Sequence, residues 1–314
     1  MAEYIGIKGS TIQTIAGDPP APIVGQVWYN STSTVLKGYG AQGTGAWASG
    51  TAMTTAKGYS ASGGIQTAAI VFGGAPSNTV DTETYNGSAW TEVNNMNTSR
   101  NYGMGFGTTT AALSVGGEPI TGDTETYNGT SWTEVNNLNA ARAKGESFGT
   151  TAAGIVAGGE TGNPVQTELW DGTSWTEVAD LNTTQAGGGG VGTSTDGLVA
   201  GGQHPPTTSV ELWDGTSWTE ANDTNSARYQ IVGAGAGTAR ALIYGGQDPY
   251  SALTEEYDGS SWTEIADLAT ARAGGGLTFN SSLASICAGG TNGTYLTTVE
   301  EWTVPDATKT FTAS

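Results

Sequence analysis

Short apolar runs recur along the chain at a spacing of about 43 residues, and each is closed by a Gly-Gly pair. The runs include Ile70-Val71-Phe72, Ile155-Val156-Ala157, Leu198-Val199-Ala200 and Leu242-Ile243-Tyr244, and none alternates with polar residues. Such a run predicts a strand covered on both faces. The closing pairs end at Gly74, Gly117, Gly159, Gly202, Gly246 and Gly290. A Gly-rich segment precedes each run, as in Arg100–Gly107 and Gly187 to Gly190. A short alternating segment follows, carrying Tyr85, Tyr127, Trp170, Trp213, Tyr257 or Trp302. Next comes Asn-Gly or Asp-Gly, which supplies the positive φ of a tight antiparallel connection. The copy then reaches Trp90, Trp132, Trp175, Trp218 or Trp262. Four short antiparallel strands per copy are predicted, here called the first, second, third and outer strands.

A period of 40–50 residues is the length of one four-stranded propeller blade, so six copies predict an all-β, six-bladed β-propeller. Gly in the first strand suits the crowding expected near a propeller axis. The repeated aromatics are expected as core between blades. The sixth copy ends its pattern at Trp302 with no Trp-Thr-Glu strand. Trp47, in Gly45–Ser49, lies 43 residues before Trp90 and is in phase with the series. That strand is expected to complete the last blade, which would close the ring and remove a free sheet edge. The propeller is assigned to residues 35–314, with residues 1–34 as an anchoring arm and the start of a hairpin. Within the arm, Asp18-Pro19-Pro20-Ala21-Pro22 reads as a stiff linker. Gly25–Asn30 and Val35–Tyr39 read as the hairpin.

The Gly-Gly, Tyr/Trp, Trp pattern over about residues 46–304 resembles the kelch repeat of β-propellers. The stretch Glu3–Gly9, the Asp18-Pro19 linker and the Gly25–Tyr39 hairpin resemble the opening of kelch-type structural proteins of marine tailed bacteriophages. Gly25-Gln26-Val27-Trp28-Tyr29-Asn30 is similar to a hairpin common in phage tail and fibre proteins. The resemblance implies a non-enzymatic virion component (decoration, tail or fibre) assembled in the host cytoplasm. It would be present in multiple copies, bound to other virion proteins through its arm, and able to contact a host-surface glycan or protein. Two alternatives stay open: a kelch adaptor for one protein partner, and a lectin-like carbohydrate-binding propeller.

Charge narrows the partners. The net charge is −19, with only 10 Lys and Arg, so there is no basic stripe for nucleic acid. Anionic membrane surfaces are disfavoured for the same reason. No stretch approaches the ~18 apolar residues of a membrane span. The one cysteine, Cys287, lies in the apolar run Leu283–Ala288 and is expected as a buried hydrophobe.

No catalytic residue, cofactor or metal is expected. A copper site would need more histidines than the one present, His204, and a Ser-His-Asp system would have to use His204, near which no nucleophile elbow lies. Asp81/Glu83 and Asp123/Glu125 are same-face strand neighbours, expected on a solvated face. Arg100, Arg142, Arg228 and Arg272 recur at one repeat position, with Gln185 in the fourth copy and Ala56 in the first. Glu92, Glu134, Glu177, Glu220 and Glu264, each two residues after its Trp, are the expected ion-pair partners. The connections between second and third strands differ in every copy, and recognition is usually carried by variable loops on a rigid scaffold. His204, Tyr250 and Tyr295 are therefore the candidate binding residues.

Overall fold

The computed structural model describes residues 12–41, 44–160, 163–203, 205–247, 249–275 and 281–311. Among these there is no helix, and 27 strands form seven sheets. The chain divides into two compact units, residues 47–302 and residues 1–46 with 303–314.

The larger unit is a propeller-like, multi-blade β-body. The second copy shows the pattern: Met104–Thr108, Ala111–Val115, Thr124–Tyr127 and Trp132–Val135 form one antiparallel meander. Its second strand is buried from Ala112 to Val115, as an apolar run without alternation requires. First strands of successive copies pack side by side, from Ala61–Ile65 through Met104–Thr108, Glu146–Thr150 and Gly189–Thr193 to Val232–Gly237. Ala284–Ala288 packs back against Ala61–Ile65.

Glycine is needed where the second strand ends. Gly116 and Gly117 have φ of 57° and 118°. A Cβ on Gly117 would stand 2.9 Å from the Asn101 carbonyl oxygen. The turn is pinned there because Gly117 N–H donates to Arg142 O at 2.9 Å. Between third and outer strands, Asn128 Oδ1 accepts from the N–H groups of Thr130 and Ser131, both at 2.9 Å. The connection is thus a four-residue turn capped by a side chain, with Gly129 at φ 89°.

The repeated aromatics are core. Tyr127 and Trp132 face each other across the sheet, with ring centroids 5.1 Å apart. Trp132 also meets Phe72 of the preceding copy at 4.8 Å. Trp90, Trp132, Trp175, Trp218 and Trp262 are 5–6% exposed, which places all five at one depth.

One sheet has three strands in the order Ala284–Ala288, Val299–Thr303, Ala46–Ser49. Trp47 lies 5.5 Å from the Trp302 ring and 4.7 Å from Tyr244, and its Nε1 donates to Thr254 Oγ1 at 3.0 Å. The first strand expected in this copy, over Ala271–Phe279, falls partly on residues 276–280, outside the described residues.

The smaller unit is one sheet in the order Gln13–Ile15, Val27–Asn30, Val35–Ala41, Asp306–Phe311. The first pair is parallel and the others antiparallel. Trp28 is fully buried. Asp18 is a clasp rather than part of a plain linker. It accepts from Trp28 Nε1 at 3.2 Å and Asn30 Nδ2 at 2.7 Å, and it pairs with Lys37 Nζ at 2.8 Å. The hydrogen bond from Lys37, then that from Asn30, holds the Asp18 carboxyl below the ordinary range. The division differs from the expected 34/35 boundary. Val35–Ala41 pairs with Val27–Asn30 on one side and with Asp306–Phe311 on the other, so it belongs to this sheet. Residues 1–11 of the proposed arm lie outside the described residues.

Candidate functional site

The segments entering the first strands are linked to one another through their backbones in a closed circuit. Tyr102 N–H donates to Tyr59 O and Lys144 N–H to Tyr102 O, both at 2.9 Å. Gly187 N–H donates to Lys144 O at 2.7 Å, Ile231 N–H to Gly187 O at 3.4 Å, and Gly274 N–H to Gln230 O at 3.0 Å. Tyr59 N–H donates to Gly274 O at 2.6 Å, so the circuit passes through all six copies.

One residue per copy on this circuit adopts the left-handed conformation: Tyr59, Tyr102, Lys144, Gly187, Gln230 and Gly274, with φ between 49° and 69°. For the four that are not glycine this costs about 1 kcal/mol each, a strain that clusters at functional sites. Their side chains rim a cavity of about 90 Å³ that Glu146 also lines. Tyr59 stacks on Tyr102 with centroids 4.3 Å apart, and Tyr295 meets Tyr59 edge-on at 6.5 Å. Lys144 Nζ sits 4.5 Å above the Tyr102 ring and pairs with Glu160 at 2.8 Å and Glu118 at 3.4 Å. Burial works against the Lys144 charge, but the bond to Glu160 and the two carboxylates outweigh it and raise its pKa. Burial pushes the Tyr102 phenol up to about 12. Tyr59 Oη also donates to Gln247 Oε1 at 3.0 Å.

Tyr250 and Tyr295, read from the sequence as binding residues, are 38% and 36% exposed. Tyr295 joins the rim, and Tyr250 acts electrostatically on Tyr59. His204 lies outside the described residues. Sequence reasoning missed Tyr59, Tyr102 and Lys144. Their signal is a fixed spacing of two residues after the recurring cation, at a position where two copies carry Gly.

Glu146 faces inward from a first strand and is 2% exposed. Gly188 N–H donates to its Oε1 at 2.7 Å, while its Oε2 has no hydrogen-bond partner. Burial pushes its carboxyl up to about 8, against smaller opposing contributions from the Gly188 bond and the Arg142 charge.

The recurring arginines do not pair with the Trp-Thr-Glu glutamates, all of which are exposed. They pair with glutamates of the third strands: Arg100–Glu125 and Arg142–Glu168 at 2.8 Å, Arg228–Glu255 and Arg272–Glu300 at 2.7 Å. The guanidinium is drawn there because Arg100 Nη1 also donates to the carbonyls of Gly116, at 3.1 Å, and Asp123, at 2.7 Å. Glu83 and Glu125 are thus fully buried and are not on the solvated face expected for them. In the first copy the cation is Lys57, not the position of Ala56. Its Nζ lies 3.2 Å from Glu83 Oε1 as a charge contact outside hydrogen-bond angles. Among the described residues no cluster of three His, Cys, Asp or Glu is placed to hold a metal.

No family model matches the sequence, and no curated protein matches it by sequence. By structure the chain is similar to the solved structure of YjhT, with a TM-score of 0.69 and 14% identity over 83% of this chain and 99% of that one. At that identity the likeness carries the fold alone, an all-β, multi-blade, propeller-like architecture.

Proposed function

We propose that the repeat body is a six-bladed kelch-type β-propeller and that the chain is a non-enzymatic structural component of a tailed-phage particle. In this reading the small unit docks onto other virion proteins. The propeller is displayed in multiple copies, and its aromatic rim is the surface offered to a host glycan or protein. The backbone circuit through six copies and the likeness to YjhT support the propeller. The observation that carries the particle role is the phage-like Gly25–Asn30 hairpin. Its Trp28 and Asn30 are buried and clasped by Asp18, in a unit separate from the repeats. Many displayed copies would turn weak single contacts into firm attachment.

The test is deletion of Met1–Ala16, which removes the strand Gln13–Ile15 from that unit. The truncated chain is expected to be lost from purified particles while its repeat body keeps the tryptophan fluorescence and unfolding midpoint of the full chain. Retention on the particles overturns the anchoring role.

A further inference from the structure

Five copies bury one glutamate against one lysine or arginine, and the fourth does not. Its glutamate, Glu211, is fully buried, and the residue at the arginine position is Gln185, also fully buried. The equivalence is set by the backbone. Gly159 N–H donates to Gln185 O at 2.7 Å, as Gly117 N–H does to Arg142 O and Gly202 N–H to Arg228 O, both at 2.9 Å. We propose that the fourth copy binds a monovalent metal cation, sodium or potassium, in the slot that a guanidinium or ammonium fills in the other copies.

The slot is lined with oxygen. In the third copy, Arg142 Nη1 donates to the carbonyls of Gly158 at 3.1 Å and Gln166 at 2.6 Å, and Nη2 donates to Glu168 Oε1 at 2.8 Å. The matching atoms in the fourth copy are Gly201 O, Ser209 O and Glu211 Oε1. Gln185 does not satisfy them: its Nε2 donates to Ser209 Oγ at 2.9 Å, and its buried Oε1 has no hydrogen-bond partner. Among the described residues Glu211 is met only by neutral donors: Asn182 N–H at 2.8 Å and Asn182 Nδ2 at 2.9 Å donate to its Oε2, and Thr183 N–H and Oγ1, both at 2.8 Å, donate to its Oε1. By repeat equivalence the slot faces one carboxylate and two carbonyls, and the residue in the arginine position brings a buried amide oxygen with no hydrogen-bond partner. A buried carboxylate without a counter-charge is costly, and a cation offsets that cost. One carboxylate among neutral oxygens balances a single charge, whereas calcium sites gather several carboxylates. Two surface concavities give an approach, one lined by Thr184 and Gln185, the other by Thr183 and Ser209.

The five other copies are internal controls, which makes Gln185→Arg the decisive variant. Thermal unfolding of the full chain is compared in potassium, sodium and choline chloride at equal ionic strength. The wild type is expected to melt about 3 °C higher in one of the metal salts than in choline. Gln185→Arg, which supplies its own cation, and Glu211→Gln, which removes the charge, are each expected to lose that difference. If Gln185→Arg does not fold, Glu211→Gln alone decides. No metal-specific shift in the wild type, or the same shift in a folded variant, overturns the site.

Discussion

At the scale of single residues, burial decides which charges matter. The first five copies each carry two glutamates that face each other across the third and outer strands, as Glu125 and Glu134 do. Only the third-strand member is buried, and wherever a copy supplies an arginine or lysine, it pairs with that member. Sequence spacing exposes both glutamates but cannot rank them, because the ranking comes from the segment entering the first strand, which covers one and leaves the other at an edge. Lys57 escaped notice for a related reason, since an arginine pattern hides a lysine one position along. Buried pairs of this kind are costly to break from one side, by about 3–5 kcal/mol. Glu146 is a different case, a buried acid with one unpartnered oxygen. Its folded carboxyl titrates at about 8 against an ordinary 4.5, so the folded chain keeps a proton that the unfolded chain gives up. The stabilisation is present below pH 4.5 and is lost as pH rises toward 8. Glu146→Gln should therefore unfold like the wild type at pH 4.5 and gain about 3–5 kcal/mol over it at pH 8. Urea midpoints at the two pH values check this, and equal offsets at both would contradict the buried acid.

At the scale of elements, most of the repeat body is readable before folding. Unbroken apolar runs mark the covered second strands, Gly-Gly marks their ends, and paired aromatics mark the third and outer strands. Trp47 is readable through phase alone, since it stands one period before Trp90. The strand Asp306–Phe311 was not, because it lies after the last repeat and its alternation is that of an exposed strand with no apolar face. The rim residues were legible only in part, because a left-handed backbone leaves no mark when Tyr, Lys and Gln take glycine's place. Trp47→Ala removes the contacts with Trp302 and Tyr244 and the bond to Thr254 together. A loss of about 3 kcal/mol in urea unfolding is expected, comparable with Trp132→Ala. A change below about 0.5 kcal/mol, the usual size for a surface substitution, would mean that the three-strand sheet does not depend on Trp47.

For the whole molecule, the circuit of amides and carbonyls ties every copy to its neighbours, which separates this body from an open stack of repeats. Open stacks lose stability roughly in proportion to the repeats removed. Here deletion of residues 137–179, one full period, breaks two links at once and should abolish the single cooperative unfolding transition. A transition that survives with proportionally smaller amplitude would show that the links are dispensable. The circuit also has a consequence for how recognition can change. It is made of main-chain atoms alone, so the residues standing on it can be exchanged without rewiring the frame. Two of the six seats are closed to exchange in this chain, Gly187 because the Tyr229 ring lies over it and Gly274 for as long as the Tyr59 ring lies over it. Four remain: Tyr59, Tyr102, Lys144 and Gln230 are a small addressable alphabet, through which specificity can drift while the architecture beneath stays constant.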